Sequence, residues 1–103
     1  MMIQQAQVST ASAGRYLVQL CKHFAHKIPV DYDASRGRAD FAWGTCHMEA
    51  GDGVLSLRCE ANDGEALERI KFVVNDHLTR FAWRESLTIR WEPVSPDASG
   101  DAA

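Results

Sequence analysis

The sequence predicts a two-layer α+β fold, in which two helices cover one face of an antiparallel sheet of five strands. Two segments repeat apolar residues at three- and four-residue spacing, which is typical of amphipathic helices. Four short segments between them, and one after the second, alternate apolar and polar residues, as half-buried strands do. Because every strand has one apolar face, we expect both helices on the same side of the sheet.

The composition is that of one small globular domain. The chain has 103 residues, of which 46% are hydrophobic and 24% charged, and this length supports a single core. The formal charge of −3 argues against nucleic acid as the main partner, because phosphate binding relies on a cationic surface. We find neither a signal peptide nor a membrane span. Three cysteines without tight spacing are typical of reduced thiols in a cytoplasmic protein.

The two ends of the chain differ from its middle. Residues 1–11 are rich in Gln and lack periodicity, so we expect a flexible N-terminus. Residues 93–103 contain almost nothing to bury, and we expect a disordered tail. Residues 12–92 are therefore the predicted single α+β domain.

The first helix is predicted to begin at Ser12, whose hydroxyl can cap it. Its apolar stripe consists of Ala13, Leu17, Leu20 and Phe24. Pro29 disfavours helical geometry at Ile28, so the helix is expected to end before that residue.

Four strands joined by short turns are predicted after the first helix. Their inward residues are Ile28, Val30 and Tyr32, then Ala39, Phe41 and Trp43, then Cys46, Met48 and Ala50, and finally Leu55, Leu57, Cys59 and Ala61. Asp52 and Gly53 between two alternating segments form a strong hairpin signal. We expect the outward acids and arginines to form ion pairs across strands.

The second helix is predicted over Asp63–Trp83, where Asn62 and Glu65 resemble a capping box. A last strand is predicted over Ser86–Glu92. The resulting order is α-β-β-β-β-α-β. We expect the fifth strand beside the first, in the sheet order 5-1-2-3-4, with pairing beside the fourth strand as the alternative.

Histidine is the residue type that suggests a binding site. His23 and His26 lie three residues apart on the first helix and can share one side of it. His77 lies next to the apolar stripe of the second helix, so helices packed side by side would bring His23 and His77 together. One hypothesis is a metal site formed by His23, His26 and His77. The alternative is a core histidine at position 77 and two solvated histidines on the first helix.

No catalytic residue is predicted. Cys46 and His47 are adjacent on a strand, so their side chains point to opposite faces and cannot form a nucleophile–base pair. Cys46 itself is expected in the core, where a thiol behaves as a small hydrophobe. Trp83 lies off the apolar stripe of the second helix, so it is either a lid at the helix end or part of a contact surface.

Three segments of the sequence together resemble a known bacterial family. They are RYLVQLCKHFAHK at residues 15–27, FAWGTC at residues 41–46 and HLTRFAWRE at residues 77–85. The chain resembles the family called domain of unknown function 2218 over Val8–Glu92. The resemblance implies a small α+β domain of no established activity. It also implies a relation to modules that precede siderophore-interacting, flavin-dependent ferric reductase domains.

The leading functional hypothesis is a cytoplasmic, non-catalytic accessory domain without a cofactor, linked to iron or siderophore utilisation. Its ligand or partner surface would lie near the end of the first helix and the groove beside the second. Cys46 and Trp83 are candidate contact residues, and a siderophore-interacting reductase is a candidate partner. One alternative is a metal-binding protein or metal-dependent enzyme that uses His23, His26 and His77; the other is a structural homodimer.

Overall fold

The computed structural model describes residues 2–94, which form two helices and one antiparallel sheet of six strands. The elements in chain order are β1 (Met2–Ser9), α1 (Ala13–Phe24), β2 (Val30–Tyr32), β3 (Arg36–Phe41), β4 (Gly44–Gly51), β5 (Val54–Ala61), α2 (Gly64–Phe81) and β6 (Trp91–Val94). The strand order across the sheet is β2-β3-β4-β5-β1-β6. Within the described residues, no helix is long and apolar enough to cross a membrane.

Both helices pack on the same face of the sheet, and the predicted α+β class is confirmed. Leu17 of α1 and Ile70 of α2 are fully buried in one cluster with Leu55 and Leu57 of β5. The removal of this apolar surface from water is the main force that holds the helices on the sheet.

The N-terminal segment is a strand, so the predictions of five strands and of a flexible segment over residues 1–11 are wrong here. β1 pairs with β5 along its whole length, from Met2 opposite Ala61 to Ser9 opposite Val54. The predicted sheet order is also wrong, since β1 lies beside β5 and separates it from the last strand. The last strand therefore pairs with β1 instead of with the first or fourth predicted strand.

The last strand is displaced from its predicted position over Ser86–Glu92. Residues 86–90 form no regular element, and β6 begins at Trp91. Leu87, Ile89 and Trp91 nevertheless pack against the core in partly buried positions. The predicted disordered tail over residues 93–103 is wrong for residues 93 and 94, which belong to β6. Residues 95–103 lie outside the described part of the chain.

The N-terminal ends of the helices differ in detail from the predicted caps. Ser12 is the N-cap residue of α1, but its side chain makes no capping hydrogen bond. Its backbone N–H instead donates to Thr10 Oγ1 at 3.1 Å. The N-cap of α2 is Asp63, one residue after Asn62, and its carboxylate accepts a hydrogen bond from the Ala66 N–H at 2.8 Å.

The second face of the sheet is polar, and no element within residues 2–94 covers it. Arg38 pairs with Asp40 at 2.9 Å, and Arg58 lies 3.5 Å from Glu60, each along its own strand. His47 contacts Glu60 across strands at 3.0 Å, but within residues 2–94 the predicted ion pairs between acids and arginines of neighbouring strands do not form. Exposed ion pairs of this kind contribute little to stability.

Candidate functional site

The end of α1 and the last turns of α2 bring two imidazole rings into contact. The ring centroids of His23 and His77 lie 4.3 Å apart, and the rings are tilted by 49°. His23 is exposed and His77 is partly buried. The predicted approach of these two residues across the helix groove is therefore confirmed.

The orientation of His77 is fixed by its own helix. Its Nδ1 lies 2.7 Å from the carbonyl oxygen of Val73, one turn earlier. Because a carbonyl oxygen only accepts, Nδ1 carries the hydrogen, and Nε2 of the neutral ring keeps its lone pair. His77 thus retains one nitrogen that can accept a hydrogen bond or bind a cation.

Phenylalanine rings flank the imidazole pair on both sides. Phe81 lies 6.0 Å from His23 between ring centroids, in an edge-to-face arrangement. Phe24 lies 5.4 Å from His77 in the same type of arrangement. These contacts join the two helices at their facing sides and hold both imidazoles in place.

The aromatic contacts continue from the helices into the β3–β4 turn. Phe24 packs edge-to-face on Phe41 at 5.4 Å, and Phe41 stacks on Trp43 at 5.9 Å. The guanidinium carbon of Arg69 lies 5.1 Å from the Trp43 ring centroid, within the range of a cation–π contact. Trp43 therefore reaches the surface beside α2, instead of pointing into the core as predicted.

Lys27 and Arg80 are the cationic side chains that influence His23. Partial burial lowers the pKa of His23, and the nearby charges of His77, His26, Lys27 and Arg80 lower it further, because each disfavours the protonated ring. The chain as a whole carries a formal charge of −3. The end of α1 is thus a basic, aromatic surface on an acidic protein.

The three histidines predicted as metal ligands do not come together as a set. Within residues 2–94 no three His, Cys, Asp or Glu side chains are grouped as metal ligands would be. His26 is exposed in the turns that follow α1. The structure brings His23 and His77 together and leaves His26 outside the pair.

The two candidate contact residues lie in opposite environments. Cys46 is fully buried opposite Cys59 on β5, so the prediction that it belongs to a contact surface is wrong. Hydrogen bonding to Cys59, together with burial, raises the pKa of Cys46 and keeps its thiol protonated and unreactive. Trp83 is 73% exposed, so it is not a lid over the core.

The sequence and the fold both match a bacterial family. The family model described as an uncharacterised protein conserved in bacteria (DUF2218) matches residues 5–92. The chain belongs to this family. The chain is similar to the NMR structure of PA4090 from Pseudomonas aeruginosa, with 37% sequence identity and a TM-score of 0.77 over 89% of this chain and 96% of that chain. Among curated proteins, none matches the chain.

The sequence of this DUF2218 chain does not predict a polar link between Glu85 and α1, which lies at the other end of the groove between the helices from His23. The Glu85 carboxylate accepts hydrogen bonds from the Tyr16 hydroxyl and from Thr10 Oγ1, the latter at 3.1 Å. The bond to Glu85 raises the pKa of Tyr16. This link ties the segment after α2 to α1 and so fixes how the helices lie beside each other. No spacing in the sequence indicates it, since the residues are far apart along the chain.

A second missed feature of the DUF2218 chain is an exposed aromatic residue in the middle of α2. Phe72 is 70% exposed and lines a shallow groove with Trp43 and Val73. Its position off the buried stripe of α2 was a usable signal, because an apolar residue on the polar side of a helix is expected to face solvent.

Proposed function

We propose that this DUF2218 domain is a non-catalytic accessory domain that binds an anionic, aromatic iron chelate of the ferric catecholate siderophore class. The binding surface is the end of α1 and the facing turns of α2. The observation that supports this best is the convergence of cationic side chains and aromatic rings on the exposed His23 in a chain of net negative charge.

Each part of this surface has a counterpart in such a chelate. Lys27 and Arg80 supply positive charge for the ligand's anionic oxygens. The His23 and Phe81 rings supply faces on which catechol rings can stack. The catecholate oxygens hold the iron themselves, so the domain needs no metal ligand of its own.

The accessory role rests on the family and on the cysteines. The sequence resembles modules that precede siderophore-interacting ferric reductase domains, and such a reductase is the proposed partner. The three cysteines are free and buried, which supports a cytoplasmic location. Burial raises the pKa of Cys21, and a hydrogen bond to Cys59 together with burial raises the pKa of Cys46, so these two thiols are poor nucleophiles, which supports binding instead of catalysis.

A diamagnetic chelate tests the proposal directly. Ga³⁺ complexed with 2,3-dihydroxybenzoate is titrated into the ¹⁵N-labelled full chain and followed by NMR. We expect amide shifts concentrated at residues 22–27 and 77–81, and binding weakened by about tenfold or more in Lys27→Glu. Arg90→Glu, which reverses an exposed charge elsewhere, should leave the affinity unchanged. A chelate that shifts no resonance around His23, or that binds Lys27→Glu equally well, overturns the proposal.

A divalent metal ion on the imidazole pair is the second candidate function. It is favoured by the hydrogen bond from His77 Nδ1 to Val73, because a second-shell bond of this type orients metal-binding histidines. Addition of Zn²⁺ alone should then shift the ring protons of His23 and His77, and His77→Gln should abolish the shift. His26→Gln is the control, and an identical response in both variants contradicts a site at this pair.

A further inference from the structure

One side of α2 carries an ordered series of side chains that no described element covers. At about 100° per residue, seven positions on and just after the helix fall on one side, away from the buried residues Leu67, Ile70, Val74 and Leu78. The series is Glu65, Arg69, Phe72, Val73, Asp76, Arg80 and Trp83. Five of its members are exposed, and Val73 and Asp76 are partly buried.

The centre of this side is apolar. Phe72 is 70% exposed and lines a shallow groove with Val73 and Trp43. Arg69 lies over the Trp43 ring at 5.1 Å, so the groove has a fixed wall. Exposed aromatic and arginine side chains around a groove are the composition of interface hot spots.

The charged residues of α2 are complementary to those of a second α2 that runs in the opposite direction. Glu65 and Arg69, with Glu68, line the N-terminal part of the groove, and Asp76 and Arg80 follow the groove along the helix. An antiparallel copy centred between Phe72 and Val73 places Glu65 opposite the partner's Arg80. The same register places Arg69 opposite the partner's Asp76, and two-fold symmetry repeats both pairs.

We infer that a second copy of this chain packs antiparallel on α2 and forms a symmetric homodimer. Phe72 of each copy enters the groove beside the partner's Trp43. Arg80 contacts Asp76 of its own helix at 3.3 Å and is 73% exposed, so its other donors can reach the partner's Glu65. Opposite charges in this order select the second copy as the occupant and fix its direction.

The size of the contact sets the expected strength of association. Helical residues 65–80 span about 22 Å, and a single helix pair of this length lies at the small end of specific interfaces. We therefore expect association in the micromolar range. Arg80 belongs both to this contact and to the proposed ligand surface, whereas Phe72 and Glu65 belong only to this contact, so variants of Phe72 and Glu65 test the dimer separately from the ligand site.

The dimer is tested by sedimentation velocity of the full chain. Concentrations of about 5–500 µM cover the range around a micromolar Kd. We expect a concentration-dependent shift from monomer to dimer. Phe72→Glu should abolish the shift, since it buries a charge at the centre of the contact. Arg90→Glu should leave it unchanged. A monomer across the whole range, or a dimer that Phe72→Glu leaves intact, overturns the inference.

A charge exchange tests the register and direction. Glu65→Arg and Arg80→Glu should each weaken self-association by about tenfold or more, because each creates two like-charge contacts. In an equimolar mixture the two variants should associate as well as the wild-type chain, since every contact between them is again of opposite charge. Circular dichroism establishes that both variants fold. Folded variants that do not recover association on mixing refute the antiparallel arrangement.

Discussion

Single buried leucines carry much of the stability of the helix layer. Leu78 of α2 has no exposed surface and lies in the cluster between helices and sheet. Leu78→Ala leaves a cavity there and is expected to reduce the free energy of unfolding by about 2–5 kcal/mol. Thr79→Ala, at the exposed neighbouring position, should change it by less than about 0.5 kcal/mol. Urea unfolding followed by circular dichroism measures both, and equal losses would contradict the assigned orientation of α2.

The stability should fall as the solution becomes mildly acidic because of His23. Its pKa is lowered from 6.5 in the folded chain, by burial and then by nearby positive charge. The unfolded chain therefore binds more protons, so the contribution of neutral His23 is complete above about pH 6.5 and is lost as the pH falls below it. We expect a lower melting temperature at about pH 5.5 than at about pH 7.5, and a smaller decrease in His23→Gln than in His26→Gln.

Two carboxyl groups titrate in a different range and leave that test undisturbed. Backbone N–H groups of Ser35 and Arg36 lower the pKa of Asp33, and the hydrogen bond from Arg38 lowers the pKa of Asp40. Their contributions are complete above the unfolded value of 3.8 and are lost only as the pH falls below it. A pH-dependent loss that is equal in His23→Gln and the wild-type chain would place its origin outside the imidazole pair.

The part of the candidate site that depends on where residues lie around each helix could be predicted from the sequence. His23 and His77 both lie next to apolar stripes, so the packing of those stripes brings the two rings together. The exposure of Phe72 follows from the same phase. Its contact with Trp43 does not, because the position of Trp43 depends on the geometry of the β3–β4 turn.

That turn places Trp43 on the surface, and Gly44 makes the turn possible. Gly44 has φ 156°, and a Cβ at this position would lie 2.9 Å from Ile70 Cδ1 and far inside contact distance of the Glu60 carbonyl oxygen. Since backbone cannot yield cheaply, Gly44→Ala should cost at least about 1–3 kcal/mol of unfolding free energy.

The other hairpin provides a matched comparison for Gly44. Gly53 has φ 71°, but a Cβ there would meet nothing within 4 Å, so Gly53→Ala should cost only the backbone strain of about 1–2 kcal/mol. Both values come from chemical denaturation. Gly44→Ala should in addition shift the Trp43 fluorescence emission, and a variant that is stable with unchanged emission would show that the turn does not require glycine.

At the level of elements, the alternation of apolar and polar residues predicts a strand correctly where burial alone determines which residues face inward. The inward residues of β4 and β5 follow the predicted alternation. β1 was missed because Gln4 occupies an inward position, where its amide accepts a hydrogen bond from Lys71 at 2.7 Å and hides the alternation of Ala6 and Val8. The position of β6 was missed because alternation does not reveal which backbone groups pair.

Over the whole molecule, the proposed ligand surface and the proposed dimer surface lie on neighbouring sides of α2 and share only Arg80. His77 faces α1 through its contact with His23, whereas Phe72 points away from the core. A second copy seated on Phe72 leaves His23 on the far side of the groove accessible. Lys27→Glu should therefore weaken chelate binding without changing self-association, and Phe72→Glu should do the reverse.

The N-terminal strand is the element that completes the sheet, although residues 1–11 have the least regular sequence within the described chain. β1 lies between β5 and β6, and its Val8 and Ala6 are buried beneath the helix layer. Deletion of residues 1–9 would leave β5 with an unpaired edge and β6 with no partner, and would expose that part of the core. We expect the shortened chain to lose the cooperative unfolding transition and the dispersed amide spectrum of the full chain.

Val8→Asp should act in the same direction through a buried unpaired charge, whereas Gln7→Ala, at an exposed position of the same strand, should unfold like the wild-type chain. A shortened chain that still unfolds cooperatively would show that residues 12–92 form the complete folding unit, as their composition alone first indicated.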